Sequence, residues 1–169
     1  VLTSNTLLKL ETTTGTIIPA GTLTLEAGAG VSIFADMTST DNTGTKPLVI
    51  NSDSDSTGSD GTLTVQTSMT ITSNNNAVTI TAWDLDLDTS ASLTAGTAAM
   101  IIHGAENDQT IGLGGTSRNM HIAGNELQRM TAVGLTLGSS VSGTMTVNGV
   151  SKAHSDLITS IVTMVAAYD

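Results

Sequence analysis

The sequence predicts an all-β parallel β-helix (β-solenoid) with about three short strands in each coil. Short segments in which apolar and polar residues alternate recur along the chain, and near-copies such as GTLTL (21–25), GTLTV (61–65) and GTMTV (143–147) repeat. Phe, Trp and Tyr together supply only 2% of the residues. An antiparallel sandwich has the same strand rhythm, but its core usually depends on large aromatic side chains, so the solenoid is favoured.

The alternation also predicts which side chains face the core, because successive residues of a strand point to opposite sides. The predicted inward residues, in chain order, are Leu23 and Leu25, Val31 and Ile33, Leu48 and Ile50, Leu63 and Val65, Met69 and Ile71, Val78 and Ile80, Leu85 and Leu87, Leu93, Ile101, Ile111 and Leu113, Met120 and Ile122, Leu135 and Leu137, Met145 and Val147. Three such strands would form a coil of roughly 20–30 residues, which gives about six to eight coils.

Three segments interrupt the strand pattern. Residues 36–46 (DMTSTDNTGTK) and 51–60 (NSDSDSTGSD) are polar and are predicted to bulge from the coil as loops. The segment 124–130 (GNELQRM) is the helix candidate, predicted to be a corner between strands. In it Asn125 is expected to cap the helix, Leu127 and Met130 to share a face, and Glu126 to pair with Arg129.

The two ends of the chain, 1–10 and 161–168, both have the composition of strands, and neither carries a polar capping helix. Residues 1–169 are therefore predicted to form a single solenoid segment that is part of a longer chain or filament. Unpaired strands at the ends of a rod are templates for further strands, so the expected partner is another solenoid along the same axis.

The net charge argues against nucleic acid as a partner. The chain has 15 acidic and 5 basic residues, for a net charge of −10, whereas nucleic-acid binding needs a cluster of Lys and Arg. No apolar run is long enough for a membrane span. There is no Cys, so neither a disulfide framework nor a Cys-based metal site is expected.

The second half of the chain resembles the repeat region of filamentous haemagglutinin-type large exoproteins. The resemblance is carried by 77–104 (AVTITAWDLDLDTSASLTAGTAAMIIHG), 110–115 (TIGLGG), 120–139 (MHIAGNELQRMTAVGLTLGS) and 142–151 (SGTMTVNGVS). It implies a right-handed parallel β-helix that is extracellular or on the cell surface and that serves as an adhesin or as a shaft carrying one, with surface glycans as possible targets. Trp83 departs from the family pattern, and the first sixty residues match it only loosely.

Asp84, Asp86 and Asp88 alternate with Leu85 and Leu87. If the two leucines face the core, the three carboxylates form a row on the outer face, where Ca²⁺ would find oxygen ligands. The alternative is a solvated acidic face that prevents lateral association.

The loop 51–60 carries Asp53, Asp55 and Asp60 and is predicted to be a binding loop. It resembles an EF-hand loop only in its spaced acids, since the closing Glu is absent. It is interpreted first as a flexible loop and second as a weak cation site, with no cofactor expected beyond possible Ca²⁺.

Catalysis is not expected. A β-helix enzyme acting on acidic polysaccharide needs bases and aromatic platforms, and the chain has one Trp, one Tyr and one Phe. An ice-binding face would need its Thr-x-Thr pairs stacked on one side, whereas the pairs here recur at the spacing of successive faces. The sequence therefore predicts a non-catalytic structural segment of a secreted or cell-surface fibre. The alternative is an adhesin shaft that binds glycan through 36–46 and 51–60.

Overall fold

The computed structural model of the chain describes residues 1–167, so Tyr168, the last residue of the predicted terminal strand, lies outside the described residues. Every strand pair in the described chain is parallel. A sandwich would pair its strands antiparallel. The fold is therefore the predicted all-β parallel solenoid.

Face 1 runs the whole length of the rod. Its strands are β1 (Leu2–Ser4), β3 (Leu23–Ala27), β6 (Leu48–Asn51), β9 (Val78–Ala82), β12 (Ala99–Gly104), β15 (Met130–Gly138) and β17 (Ile158–Val165). Adjacent strands of face 1 are separated by one coil of the solenoid, and the number of residues in that coil varies. Val78 lies opposite Met100, 22 residues later, whereas Met100 lies opposite Leu135, 35 residues later.

Two shorter faces complete each coil. Face 2 contains β2 (Leu8–Leu10), β4 (Val31–Ile33), β7 (Leu63–Val65) and β10 (Leu85–Leu87). Face 3 contains β5 (Met37–Thr38), β8 (Thr70–Thr72), β11 (Ser92–Thr94) and the start of β15. Since the chain visits faces 1, 2 and 3 in turn, the coils that begin at β3, β6 and β9 each have three short strands, as predicted, whereas the first coil has only the bridge of Ile17 to Met37 on face 3.

The regular winding changes after β12. A separate three-stranded sheet has the order β14 (Met120–Ile122), β13 (Ile111–Gly114), β16 (Met145–Asn148). It is β14, and not the earlier β13, that lies against β10. The connection between β13 and β14 folds back so closely that a side chain at Gly112 would collide with the Thr116 carbonyl oxygen. Face 2 is consequently interrupted beyond β10.

Aliphatic side chains stacked from coil to coil fill the core. We call one column on face 1 the axial ladder; its members are Leu2, Leu25, Ile50, Ile80, Ile102, Leu137 and Met164. All five internal members are 0% exposed. Small aliphatic residues suit this narrow interior because each packs on a similar neighbour one coil away.

Two predicted inward residues face solvent. Ile101 is 39% exposed, while its neighbours Met100 and Ile102 are buried. The run AAMII contains no polar residue, so alternation could not set its register. Val147 is 48% exposed because β16 is the last strand of its sheet.

Residues 1–167 contain two short helices, α1 (Gly124–Leu127) and α2 (Lys152–Ser155), of which only the first was expected. The predicted Asn125 cap is wrong, because the N-cap residue is Ala123. Met130 begins β15 instead of sharing a helical face with Leu127. The predicted pair of Glu126 and Arg129 is not among the ion pairs of residues 1–167. The Arg129 guanidinium donates instead to the carbonyl oxygens of Leu87 and Asp88.

The predicted loop at 36–46 is partly a strand. Met37 is 1% exposed, and β5 lies inside the segment. The rest is tied to the next coil by the buried side chain of Asn76, which donates to the Asp41 carbonyl and accepts from the Lys46 N–H. One apolar residue among polar neighbours was too weak a signal for a two-residue strand.

Candidate functional site

Three loops line up along one long edge of the solenoid, which we call the loop edge. They are residues 52–62, 105–110 and 139–144, which follow β6, β12 and β15 on leaving face 1. The coil between the first two loops turns through Trp83 and Asp84 alone. We call this two-residue connection the low corner. Because it is short, it leaves room for the loops on either side to face each other.

Two grooves open between these loops. The larger has a volume of about 470 Å³ and is lined by Ser56, Thr57 and Gly58 from the first loop and by Ala105, Glu106 and Asn107 from the second. The smaller, of about 250 Å³, is lined by Asn107, Asp108, Ser140, Val141 and Ala167. Most of these residues are polar or small, and the acids Glu106 and Asp108 make the grooves negative.

Asp53 lies at the base of the first loop. Its side chain is 0% exposed, and neither carboxylate oxygen has a hydrogen-bond partner. Burial, followed by the proximity and like charge of the Asp55 carboxyl, raises the pKa of Asp53 to about 6; Glu106 adds to the repulsion, and the nearby Thr57 N–H opposes the rise. A buried carboxylate without a partner is costly, so Asp53 is an unusual feature of this edge.

The chain around Asp53 is held by backbone contacts. The Ser54 N–H donates to the Ala27 carbonyl (2.7 Å), and the Ser56 N–H donates to the Asp53 carbonyl (3.3 Å). Gly61, with φ +82°, lies directly against the Asp53 side chain, and a Cβ there would collide with it. Asp53 is thus enclosed by residues of its own loop and of the neighbouring coils.

The structure brings together two of the three acids predicted for this loop. The Asp55 carboxyl acts directly on that of Asp53 and also lies over Gly28 of the preceding coil. Asp60 is exposed and lies beside Gly58. The ion pairs in residues 1–167, Lys9–Glu11 and Lys152–Asp156, involve neither Asp53 nor Asp55. These two acids can therefore accept a proton or a cation.

Asp84, Asp86 and Asp88 do not form the predicted row of calcium ligands. Leu85 and Leu87 do face the core. However, no three acidic, His or Cys side chains within residues 1–167 are grouped so that they could hold a metal ion. Alternate residues of a strand are about 6.6 Å apart, too far for one ion to bind all three. Asp84 has a structural role instead, since its Oδ1 accepts from the N–H groups of Leu85 and His121.

Glu126 has a similar role, which the sequence did not reveal. It is 9% exposed; Oε1 accepts from the Leu87 N–H (3.0 Å) and Oε2 from the Ala123 N–H (2.7 Å). Burial raises the pKa of Glu126, while these two hydrogen bonds lower it. Asp84 and Glu126 satisfy backbone donors where face 2 is interrupted, because no carbonyl of a following strand is available there.

Gln109 holds the second loop of the loop edge. Its Oε1 accepts from the N–H groups of Ala105 and Glu106, and its Nε2 donates to the carbonyls of Ala82 and Trp83. The side chain is 2% exposed. In the sequence it lies in the polar run ENDQT, which gives no sign that one member is buried.

We expect the free energy of unfolding to increase as the pH falls from about 7 to about 5. Burial raises the pKa of Asp53 from 3.8 to about 6, and it also raises the pKa values of Asp84, Asp86 and Glu126. Between the folded and unfolded pKa values the folded chain binds more protons, so protonation stabilises it. Urea unfolding at pH 7, 6 and 5 at constant ionic strength measures this.

Asp53→Asn is the matched variant for the pH experiment. It should lose part of the pH dependence and keep the part that comes from the other three carboxyl groups. A stability that falls steadily from pH 7 to pH 5, or an identical slope in the variant, would contradict the expectation.

The three successive Thr-x-Thr pairs between residues 62 and 81 lie on different faces, as expected. Thr70 and Thr72 are on face 3, and Thr79 and Thr81 are on face 1. Thr64 is on face 2.

No family model, curated protein or solved structure matches the chain. No helix among the described residues is long and apolar enough to cross a membrane.

Proposed function

We propose that the chain is a non-catalytic structural segment of a secreted or cell-surface fibre, in which solenoids stack along a common axis. The observation that supports this most strongly is the axial ladder. Its internal members are 0% exposed, whereas its end members, Leu2 and Met164, are 47% and 48% exposed. A second solenoid placed end to end would bury both residues and continue the ladder.

The backbone at both ends is also suited to stacking. Among the described residues, β1 pairs only with β3 and β17 only with β15, so each has one free edge. All strands of face 1 run in the same direction, so β17 of one copy can pair with β1 of the next without reversal. Unpaired parallel edges readily recruit further strands.

Exposed apolar side chains accompany these free edges. Val1 is 81% and Leu7 52% exposed at one end, and Ile161 is 63% and Leu157 45% exposed at the other. Apolar surface of this kind favours association in water. The extracellular location in this proposal rests on the resemblance of 77–104 and 120–139 to filamentous haemagglutinin-type repeats.

Charged residues at the ends should prevent stacking. Cryo-electron microscopy of the purified chain is expected to show filaments with an axial repeat of about 4.8 Å. In Leu2→Lys and Met164→Lys the filaments should be lost, because a charge would be buried between coils. Ile101→Lys, on the outer side of face 1 in the middle of the rod, is the control and should leave the filaments intact.

Mixing gives a second readout. Leu2→Lys chains keep an unmodified Met164 end. A small fraction of them added to wild-type chains should therefore shorten the filaments by capping one end. Wild-type chains that remain single short rods at all concentrations would argue against the proposal.

The second candidate is an adhesin shaft, favoured by the two polar grooves of the loop edge. The segments 36–46 and 51–60 leave the coil at different corners, because the first contains β5 of face 3 and the turn after it, whereas the second follows face 1. A glycan would instead meet 51–60 together with 105–110. The assembly experiment separates the candidates, since an adhesin of this kind would remain as short rods and bind glycan through the loop edge.

A further inference from the structure

We infer that the loop 52–62 is a calcium site built around the carboxylates of Asp53 and Asp55. The site is distinct from axial stacking and lies on the side of the rod. Its ligand class is a hard divalent cation, for which carboxylate, hydroxyl and carbonyl oxygens are the preferred donors.

The buried side-chain oxygens carry this inference. In the described part of the chain, the buried side-chain oxygens or nitrogens that have no hydrogen-bond partner are Ser52 Oγ, Asp53 Oδ1 and Asp53 Oδ2. All three belong to adjacent residues at the base of one loop. Buried polar atoms are normally satisfied, so these unpartnered oxygens at neighbouring positions favour binding of an electropositive partner.

The surrounding charge has the sign that a cation requires. Asp55 and Glu106 both act on the Asp53 carboxyl with the repulsion of like charges. Thr57 and Glu106, which lie near Asp53, also line the groove of about 470 Å³, so the buried carboxylate has an aqueous approach beside it. No Lys or Arg is paired with either aspartate among residues 1–167. A bound cation would relieve this repulsion.

Two carboxylates leave most of the coordination shell to other donors. The Ser52 hydroxyl, carbonyl groups of the loop and water would supply the rest, which Ca²⁺ accepts with its six to eight oxygen ligands in flexible geometry. Mg²⁺ requires a compact octahedral shell and loses water reluctantly. With so few charged ligands, the dissociation constant for Ca²⁺ should be about 10⁻⁴–10⁻³ M, as in extracellular modules.

Calcium alone serves as the probe in thermal unfolding at pH 7.5. At about 5 mM Ca²⁺ we expect the melting temperature to rise by about 2–9 °C. The rise should be much smaller with Mg²⁺ or with NaCl of equal ionic strength. At pH 5 the apparent affinity should be weaker by about tenfold or more, because protons compete for the same oxygens.

Tb³⁺ gives a direct spectroscopic readout. The backbone N–H of Trp83, the one Trp of the chain, donates to the carbonyl of Gly61, which lies against Asp53. A Tb³⁺ ion in the loop should therefore show emission sensitised by Trp83, and Ca²⁺ should displace it.

Variants identify the ligands. Without calcium, Asp53→Asn should melt at a higher temperature than wild type, since it removes an unpaired buried charge. It should also lose the calcium-induced rise in melting temperature and bind calcium at least tenfold more weakly. Asp55→Asn, at an exposed position, should lose affinity without disturbing the buried corner. Asp86→Asn, which removes an exposed acid of the other row, is the control and should keep the full shift.

Three results would overturn the inference. One is the absence of a calcium shift in wild type. Another is an equal shift with NaCl, which would mean general screening of the net charge of −10. The last is a calcium-induced shift of the melting temperature that does not depend on the two proposed ligands. Such a shift would be unchanged in Asp53→Asn and Asp55→Asn, or would be lost in Asp86→Asn alone.

Discussion

Replacing Ile80 with alanine is expected to lower the free energy of unfolding by about 2–5 kcal/mol. Ile80 is 0% exposed and lies in the middle of the axial ladder, between Ile50 and Ile102. Removing its methyl groups leaves a cavity that the coils above and below cannot close, because each is held by the backbone pairing of β6, β9 and β12. Domains have only about 5–15 kcal/mol of stability, so this loss is large.

Urea unfolding followed by far-UV circular dichroism and by the fluorescence of Trp83 measures the effect. Ile101→Ala is the matched control, because Ile101 is on the next strand of the same face but points outward, with 39% of it exposed. Its expected loss is below about 1 kcal/mol. Equal losses in the two variants would show that the register assigned to face 1 is wrong.

Glu126→Ala should have the second largest effect. It removes the acceptors of the Leu87 and Ala123 N–H groups. Each donor left unsatisfied costs about 1–3 kcal/mol, and removing a buried carboxylate offsets part of that loss. We therefore expect a net decrease of about 2–4 kcal/mol in the free energy of unfolding.

Hydrogen exchange localises this effect. In Glu126→Ala the amide of Leu87 should exchange faster, while amides of β3 and β6, far along the rod, should be unchanged. Glu126→Gln keeps one acceptor oxygen and should lie between the two proteins. Glu26→Ala, which removes an acid from the outer side of face 1, is the control. If Glu126→Ala and Glu26→Ala are equally stable, the two hydrogen bonds of Glu126 contribute nothing.

The effects of Ile80→Ala and Glu126→Ala differ in how well they can be predicted from the sequence. Ile80 lies in VTITA, where Thr separates each aliphatic residue from the next, so the inward position follows from alternation. Glu126 was expected on the surface, paired with Arg129. The interrupted face beside β10 gives Glu126 its role, and that interruption depends on contacts between distant segments.

The loop edge shows the same division. The spacing of Asp53, Asp55 and Asp60 identified this segment as a candidate binding loop. The sequence could not show that Asp53 is buried and that Asp60 is exposed, because burial depends on the close approach of Gly61 to Asp53 and on the contact of this loop with Ala27 of the preceding coil. It also could not show that 105–110 faces this loop, since the alignment depends on the low corner at Trp83 and Asp84.

The sequence by itself determined the class of fold, the three-strand coil and most of the inward residues. These features are local, because the alternation of a strand and the turn after it are set by neighbouring residues. Only the tertiary structure decided the order of β13 and β14, the register of the apolar run at Ile101 and the partners of Asp53, Asp84 and Glu126. Each of these depends on which coil lies above or below, and residues more than twenty positions apart in the chain determine that.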